Sequence, residues 1–402
     1  MPLNTITFIL KIRVGDRVME FKFATASRII FGCGKHHQIG EFASEFGERA
    51  LLVTGSEPGR LDEVLFSLDS VNIVYETFRI VSEPTIEAIL EGIDQAKAFG
   101  CEMVVAIGGG SVMDGGKAIA ALLVNEGDPL DYLEVIGKGE PLVHPSKPII
   151  AVPTTAGTGS EVTRNAVLAS KEHKVKVSLR SPTMLPRIAL VDPELTCSLP
   201  PNLTASTGMD ALTQVLEPYV SKMSNSFVDI LCREGMRLAT RSLEKAYENG
   251  HNLAAREDMA FTSLLGGMAL ANAKLGAVHG FAGSLGGMIP APHGAICARL
   301  LPYVMEMNIR ALMSRTPDCP ALGRYHEIGV ILTGRESATM MDGVDWVIDL
   351  CEKFKIRPLR DFGLDKGQFP EVVGKASRSS SMKGNPIILT ERELEEILIK
   401  AF

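Results

Sequence analysis

The 402-residue sequence lacks any window of about 18 continuous apolar residues, the length a membrane-spanning helix requires, so a bilayer-spanning segment is not supported. It lacks long runs of Lys or Arg as well. Its 41 basic residues against 48 acidic ones leave a formal net charge of −7, which gives no electrostatic reason to attract a nucleic-acid backbone or an anionic membrane surface. Nor does it contain a CxxC pair. Seven scattered cysteines (Cys33, Cys101, Cys197, Cys232, Cys297, Cys319, Cys351) suggest neither a disulfide framework nor a thiolate zinc site, and reduced thiols in a cytoplasmic setting are expected. The apolar stretch in Met1 to Ile12 is short and has no small-residue cleavage site behind it, so it reads as a strand. Alternation of Val18, Glu20 and Lys22 against Met19, Phe21 and Phe23, after Gly15-Asp16, predicts the second arm of an N-terminal hairpin.

What is present is a large apolar fraction, 46%, with 22% charged residues, in a chain too long for one ordinary core. Two domains are expected. The first half alternates strand-like runs (Ala50–Thr54, Val71–Phe78, Met103–Ile107, Pro148–Pro153, Ile188–Val191) with helical stretches (Glu57–Leu68, Pro84–Phe99, Val112–Val124). That alternation predicts a parallel sheet covered on both faces. After Cys197 the strand-like runs stop. Leu199-Pro200-Pro201-Asn202 marks the change, and Ala, Leu and Met-rich helical spacing follows. The expectation is an α/β dinucleotide-binding domain over 1–197 and a helical domain over 198–402.

The run from Val104 to Lys117 reads as buried strand, glycine turn and helix start, with Gly108, Gly109, Gly110, Ser111 and Asp114 at the turn. Glycines let backbone N–H groups approach a pyrophosphate, and a helix N-terminus adds partial positive charge. The spacing is not GxGxxG, and a tight turn without ligand is the plain alternative. A second loop, Pro153 to Thr163, offers Thr154, Thr155 and Thr158 as hydroxyl donors beside two glycines, although such loops often serve only as capped turns.

In the helical half, Asp210 and Gln214 stand four residues apart on one helix face, and His279 and His293 lie in stretches nearly free of polar side chains. A carboxylate and two imidazoles suit Fe(II) or Zn(II) with positions left open for an alcohol or aldehyde oxygen. Singly, each residue has an ordinary reading: a helix-terminal charge, a hydrogen-bonded core histidine, a turn residue. Together with the glycine loop they favour the metal.

These segments, with Val191-Asp192-Pro193, Gly208 to Leu212, Gly276 to His279, Pro292-His293-Gly294 and Asn385-Pro386, resemble the iron-containing (group III) alcohol dehydrogenases in order and spacing over nearly the whole chain. The resemblance implies the dehydroquinate synthase-like fold, with a deep cleft between an α/β and an all-α domain. It implies Asp210, Gln214, His279 and His293 at the metal positions, the first, third and fourth also catalytic, and Asp114 beside the cofactor diphosphate. Thr154, Thr155 and Thr158 would lie near diphosphate, ribose or nicotinamide, with Lys176 at the ribose. It further implies an NADP- or NAD-dependent oxidoreductase acting on a small alcohol or aldehyde, with metal polarising the oxygen, in a homodimer or larger homo-oligomer. Two positions depart from the family pattern: Gln214 stands where it has a ligating histidine, and Gly283 where a second histidine is frequent. The first predicts weaker metal binding, the second a roomier pocket and a proton path through water and cofactor hydroxyls. After the strand Leu51–Thr54 comes Gly55-Ser56, with Arg60 nearby, in place of the acidic residue common in NAD-preferring relatives, so NADP is expected to be tolerated. Wall segments around Phe281, Leu285 and Met288 and the loop Ser380 to Met382 are expected to line an apolar to mildly polar pocket. The competing readings are a metal-independent reductase of the same fold, a dehydroquinate synthase-like lyase, for which Arg164, Lys176, Lys274 and Arg378 would be the basic residues, and a non-catalytic nucleotide-binding protein.

Overall fold

Strands whose residues are apolar at every position must be covered on both faces, and the central strands of this chain are. In chain order the strands are β1 (Phe8–Val14), β2 (Arg17–Phe23), β3 (Arg28–Phe31), β4 (Arg49–Thr54), β5 (Val74–Arg79), β6 (Met103–Gly108), β7 (Ile149–Pro153), β8 (Asn165–Ser170), β9 (Val175–Arg180) and β10 (Ile188–Val191). The computed structural model describes residues 8–14, 17–55, 61–170, 172–173 and 175–402. Strands β3-β10-β7-β6-β4-β5, in that order, form one parallel sheet. Its period of two is strict: Leu51, Val53, Val104, Ala106, Ile149 and Ala151 pack on one face, and Ala50, Leu52, Met103, Val105, Ile150 and Val152 on the other.

Helices α1 (Ile39–Ala43) and α2 (Asp62–Asp69) supply Ile39, Val64 and Leu68 to one of these layers. Helices α3 (Ile86–Phe99) and α4 (Gly110–Leu122) supply Ile89, Ile93 and Ile119 to the other, and α5 (Pro129–Tyr132) is a single turn. The expected N-terminal hairpin is present, β1 pairing antiparallel with β2; its turn, Gly15-Asp16, lies outside the described residues. Two elements were not anticipated, the short edge strand β3 and the antiparallel pair β8–β9. From β4 the chain steps outward to β5 and then back across to β6, so β4 and β6 are neighbours whose connections leave in opposite directions. The carboxyl ends of such a strand pair are where open α/β sheets bind ligands.

The chain divides into two units, the first holding residues 1–155 and 159–197, the second 156–158 and 198–402. The tip of the threonine-rich loop, Ala156–Thr158, thus belongs with the second unit, which a single boundary after Cys197 does not anticipate. The second unit is built from α6 (Pro201–Val220), α7 (Ser226–Glu248), α8 (Leu253–Asn272), α9 (Ala277–Leu285), α10 (His293–Arg315), α11 (Pro320–Thr333), α12 (Met340–Lys353), α13 (Phe369–Arg378) and α14 (Glu391–Ala401). Helix α6 is buried almost from end to end, with Asp210, Gln214 and Glu217 inside.

In the first unit a buried imidazole ties three elements together. His36, just after β3, places Nδ1 2.5 Å from Asp192 Oδ2 at the end of β10, and Nε2 2.6 Å from Glu63 Oε2 at the start of α2. Both ring nitrogens are taken by carboxylates, so this cluster is an ion-pair clasp. The bond to Asp192, reinforced by Glu63, outweighs burial and pushes the imidazole up from 6.5 to about 9. A raised folded-state value means that the clasp stabilises fully below about 6.5 and loses that contribution as pH rises through about 9. The difference in urea midpoint between the wild type and His36→Gln should therefore be largest just below about pH 6.5 and shrink as pH rises through about 9; a pH-independent difference would show that the clasp is not charged.

Candidate functional site

The candidate site residues fall into two sets, one in each unit. In the first unit, β6 ends at Gly108 and α4 begins at Gly110 with Gly109 as N-cap, a residue with no side chain to occupy the helix's free N–H groups. Gly108 is required by packing, since a Cβ there would lie 2.6 Å from Val112 Cγ2. Gly109, Gly110 and Ser111 are partly exposed, which leaves the uncapped turn reachable. Thr154 N–H donates to the Gly108 carbonyl at 2.9 Å, so the glycine and threonine loops are joined directly. Gly55 follows β4, next to β6, and is partly exposed; Ser56 and Arg60 lie outside the described residues.

Asp114, expected beside the cofactor diphosphate, is hydrogen-bonded within the first unit. Its Oδ1 accepts from Ser160 Oγ at 2.6 Å and its Oδ2 from Val167 N–H at 2.9 Å, with Lys117 Nζ 3.2 Å from Oδ1. Lys117, which sequence reasoning passed over, is wholly buried and donates to the Ser160 carbonyl and hydroxyl and to Thr163 Oγ1. Burial lowers its affinity for a proton, and Asp114 offsets that in part. The pair fastens α4 to the threonine loop. Lys176 lies on β9 with Nζ 2.9 Å from Glu83 Oε1.

In the second unit the structure brings Asp210 (α6), His279 (α9) and His293 (the first residue of α10) together and adds Cys297, one turn beyond His293 on α10, with all four ligand atoms within 4.8 Å of one another. Close approach of α10 to α6 depends on Gly294, whose Cβ would meet the Ser206 carbonyl at 2.2 Å. Asp210 Oδ1 faces His279 Nε2 at 3.3 Å and His293 Nε2 at 3.8 Å, yet it is buried without a hydrogen bond. Gln214 Oε1, one turn further along α6, is likewise buried and unbonded, while its Nε2 donates to the Gly157 carbonyl at 2.9 Å. Buried oxygens left unbonded beside two imidazoles and a thiol form a donor set that fits a divalent cation.

Glu217, three residues beyond Gln214, was also missed. Its Oε2 lies 2.7 Å from His279 Nδ1 and its Oε1 accepts from Val278 N–H at 2.7 Å. Together with Asn385 Oδ1, which accepts from Ala277 N–H, it satisfies the start of α9, where the N-cap Gly276 has no side chain. A Cβ at Gly276 would lie 2.8 Å from Glu217 Oε1, so a larger residue there would push the carboxylate from its place. Holding Nδ1–H toward Glu217 leaves Nε2 to face Asp210, the arrangement in which a carboxylate orients a metal-binding histidine.

Burial alone would lift the Asp210 carboxyl, but His293 and His279 beside it reverse this and hold it below its ordinary value. Burial opposes protonation of His293, and Cys297 and Asp210 overcome that to push it to about 9. A cation entering the cluster competes with these protons. Phe281 and Leu285 do not form a pocket wall: both are fully buried in the helical core, because they lie on a different side of α9 from His279. Gly283, one turn after His279, is exposed with open space where a side chain would stand.

Two family models match, the iron-containing alcohol dehydrogenases over residues 26–193 and the C-terminal part of the same family over residues 204–402. The 1,3-propanediol dehydrogenase of Klebsiella pneumoniae is 37% identical over 367 residues, covering 89% of this chain and 92% of that protein. A crystal structure of a 1,3-propanediol oxidoreductase superposes with a TM-score of 0.88 at 35% identity, over 95% of this chain and all of the other (100%). The sulfoacetaldehyde reductase of Bifidobacterium kashiwanohense, solved in complex with NAD+, superposes with a TM-score of 0.84 at 30% identity, over 95% of this chain and 98% of that one.

Replacing Glu217 by Gln keeps the shape of the side chain but removes the charge that orients His279. Zinc affinity, measured by chelator competition, should fall about 10- to 100-fold with the helical fold retained. Unchanged affinity would mean that Glu217 serves only to cap α9.

Proposed function

Since the chain belongs to the iron-containing alcohol dehydrogenase family, we propose that it interconverts a small alcohol and the corresponding aldehyde or ketone with NADP or NAD as hydride carrier. The observation that carries this reading is the convergence of Asp210, His279 and His293, with an unbonded Asp210 oxygen among them. When bound, the nicotinamide takes or returns a hydride, and Fe(II) or Zn(II) held by Asp210, His279 and His293, with Gln214 as a neutral amide donor, supplies Lewis acidity toward the substrate oxygen.

The chain's own groups do the rest. Backbone N–H groups of Gly109, Gly110 and Ser111 at the start of α4 receive the diphosphate, and the rigid bonding of Asp114 to Ser160 and Val167 keeps that turn in place before cofactor arrives. Thr154, Thr155 and Thr158 offer hydroxyls to diphosphate, ribose or nicotinamide, and Lys176, released from Glu83, reaches the ribose. Gly55 puts no carboxylate after β4, which favours acceptance of a 2′-phosphate. Glu217 keeps His279 in the tautomer whose Nε2 lone pair faces Asp210. In the oxidative direction the substrate hydroxyl would also have to give up a proton. Gly283 presents no imidazole to receive that proton, and the open space above it lets water carry it away. All seven cysteines are free thiols, which supports a cytoplasmic setting. Assembly as a homodimer or larger homo-oligomer belongs to the same proposal.

Because relatives carry the name of 1,3-propanediol dehydrogenase, short diols and their aldehydes lead the substrate panel. Anaerobically purified protein, stripped of metal and reloaded with Fe(II) or Zn(II), should gain NADPH- and NADH-dependent aldehyde reduction. Asp210→Ala and His279→Ala should lower kcat/KM by about a hundredfold or more. Full activity in metal-free protein would sink the Lewis-acid mechanism, and NADH used far better than NADPH would remove the tolerance for NADP.

A further inference from the structure

Resting on the metal reading above, but with Gln214 replaced as the fourth donor, we infer that Cys297 is a ligand of the same ion, bound as thiolate, so that the resting site is Asp210, His279, His293 and Cys297. Four-coordinate zinc with bonds of about 2.0–2.1 Å to nitrogen or oxygen and about 2.3 Å to sulfur sets its ligand atoms about 3.3–3.6 Å apart along the tetrahedral edges. The side chains stand close to that spacing: Cys297 Sγ is 3.6 Å from His293 Nε2 and 3.9 Å from His279 Nε2, and Asp210 Oδ1 is 3.3 Å and 3.8 Å from the same two nitrogens.

Other buried thiols show what a merely packed cysteine looks like in this chain. Cys351 donates to the Ala298 carbonyl and sits among core residues, and Cys232 is enclosed by the helical core. Cys297 instead faces two imidazole nitrogens whose rings are set by other contacts. His279 is held by Glu217, and His293 begins α10 one turn before the thiol. Charge agrees with this. One carboxylate and one thiolate neutralise a divalent ion, which lowers the cost of burying it, whereas the Gln214 amide contributes no charge. A soft sulfur donor also tilts the site toward zinc or cobalt and away from iron. With four protein ligands in place, substrate entry requires the coordination number to rise, a change zinc tolerates.

The test uses full-length protein loaded with Co(II) or Zn(II), its metal content fixed by elemental analysis. The Co(II) form should show a near-ultraviolet thiolate-to-cobalt charge-transfer band, and X-ray absorption of the Zn(II) form should show one sulfur at about 2.3 Å. Both signals should vanish in Cys297→Ser, with zinc affinity lowered at least about tenfold. The wild-type spectra stand even if the variant folds poorly. Bound metal with only nitrogen and oxygen neighbours overturns this inference and leaves the proposed function intact. A sulfur signal that persists in Cys297→Ser also overturns it, since another cysteine would then be the source. Absence of any bound metal overturns both.

Discussion

Two carboxylates buried two turns apart on α6, Asp210 and Glu217, are the constraint from which the helical unit's site follows. An ionised carboxylate without partners in an apolar interior is too costly to keep, so each must be met by donors or positive charge. Glu217 is met completely, by a backbone N–H of α9 on one oxygen and His279 on the other. That solution fixes where α9 begins, favours glycine at position 276 and leaves one face of the His279 ring for Asp210. Asp210 is met only in part, by imidazoles that approach its Oδ1 without hydrogen bonding to it. The packing of α6, α9 and α10 thus builds a concentration of donor atoms that a cation completes.

The first unit handles its buried charge in the opposite way. Lys117 enters the interior already compensated, ringed by oxygens of Ser160 and Thr163 and by Asp114. That network is closed without a ligand, and its effect is mechanical: the glycine turn and the threonine loop are fixed before anything binds. Under the proposed function, a diphosphate bound there would not bear that ordering cost on arrival. The buried polar network of the first unit is therefore complete in itself, while the cluster of the second leaves the Asp210 oxygen unbonded.

Much of the fold was legible because both faces of the central strands are buried, which forces near-continuous Val, Ile, Leu and Ala in β4, β6, β7 and β10. Strand β3 carries an exposed Arg at its start, and the β8–β9 pair mixes Asn, Ser and Lys into its alternation, so neither stood out from loop. Asp210, His279 and His293 were visible as polar groups in apolar surroundings. Cys297 was invisible for the converse reason: cysteine is among the commonest buried residues and does not interrupt an apolar helix. Its only signal was the four-residue step from His293. Glu217 could have been found as the next acidic residue on the face of α6 that holds Asp210. Phe281 and Leu285 were misplaced because proximity to His279 in sequence is not proximity on a helix face.

A cluster of this kind could in principle be a set of core side chains satisfied by one another, and the contact lengths at His279 argue against it. One ring nitrogen lies 2.7 Å from Glu217, a hydrogen bond of ordinary length; the other lies 3.3 Å from Asp210 and 3.9 Å from the Cys297 sulfur. The same imidazole is thus tightly bonded on one side and held off on the other, so the longer contacts do not come from loose packing. The contact to Asp210 is long for an N–H···O hydrogen bond, and both separations suit atoms that share a central ion. The asymmetry within the His279 side chain, more than the number of ligand-type residues, is what favours the proposed metal centre over a polar core.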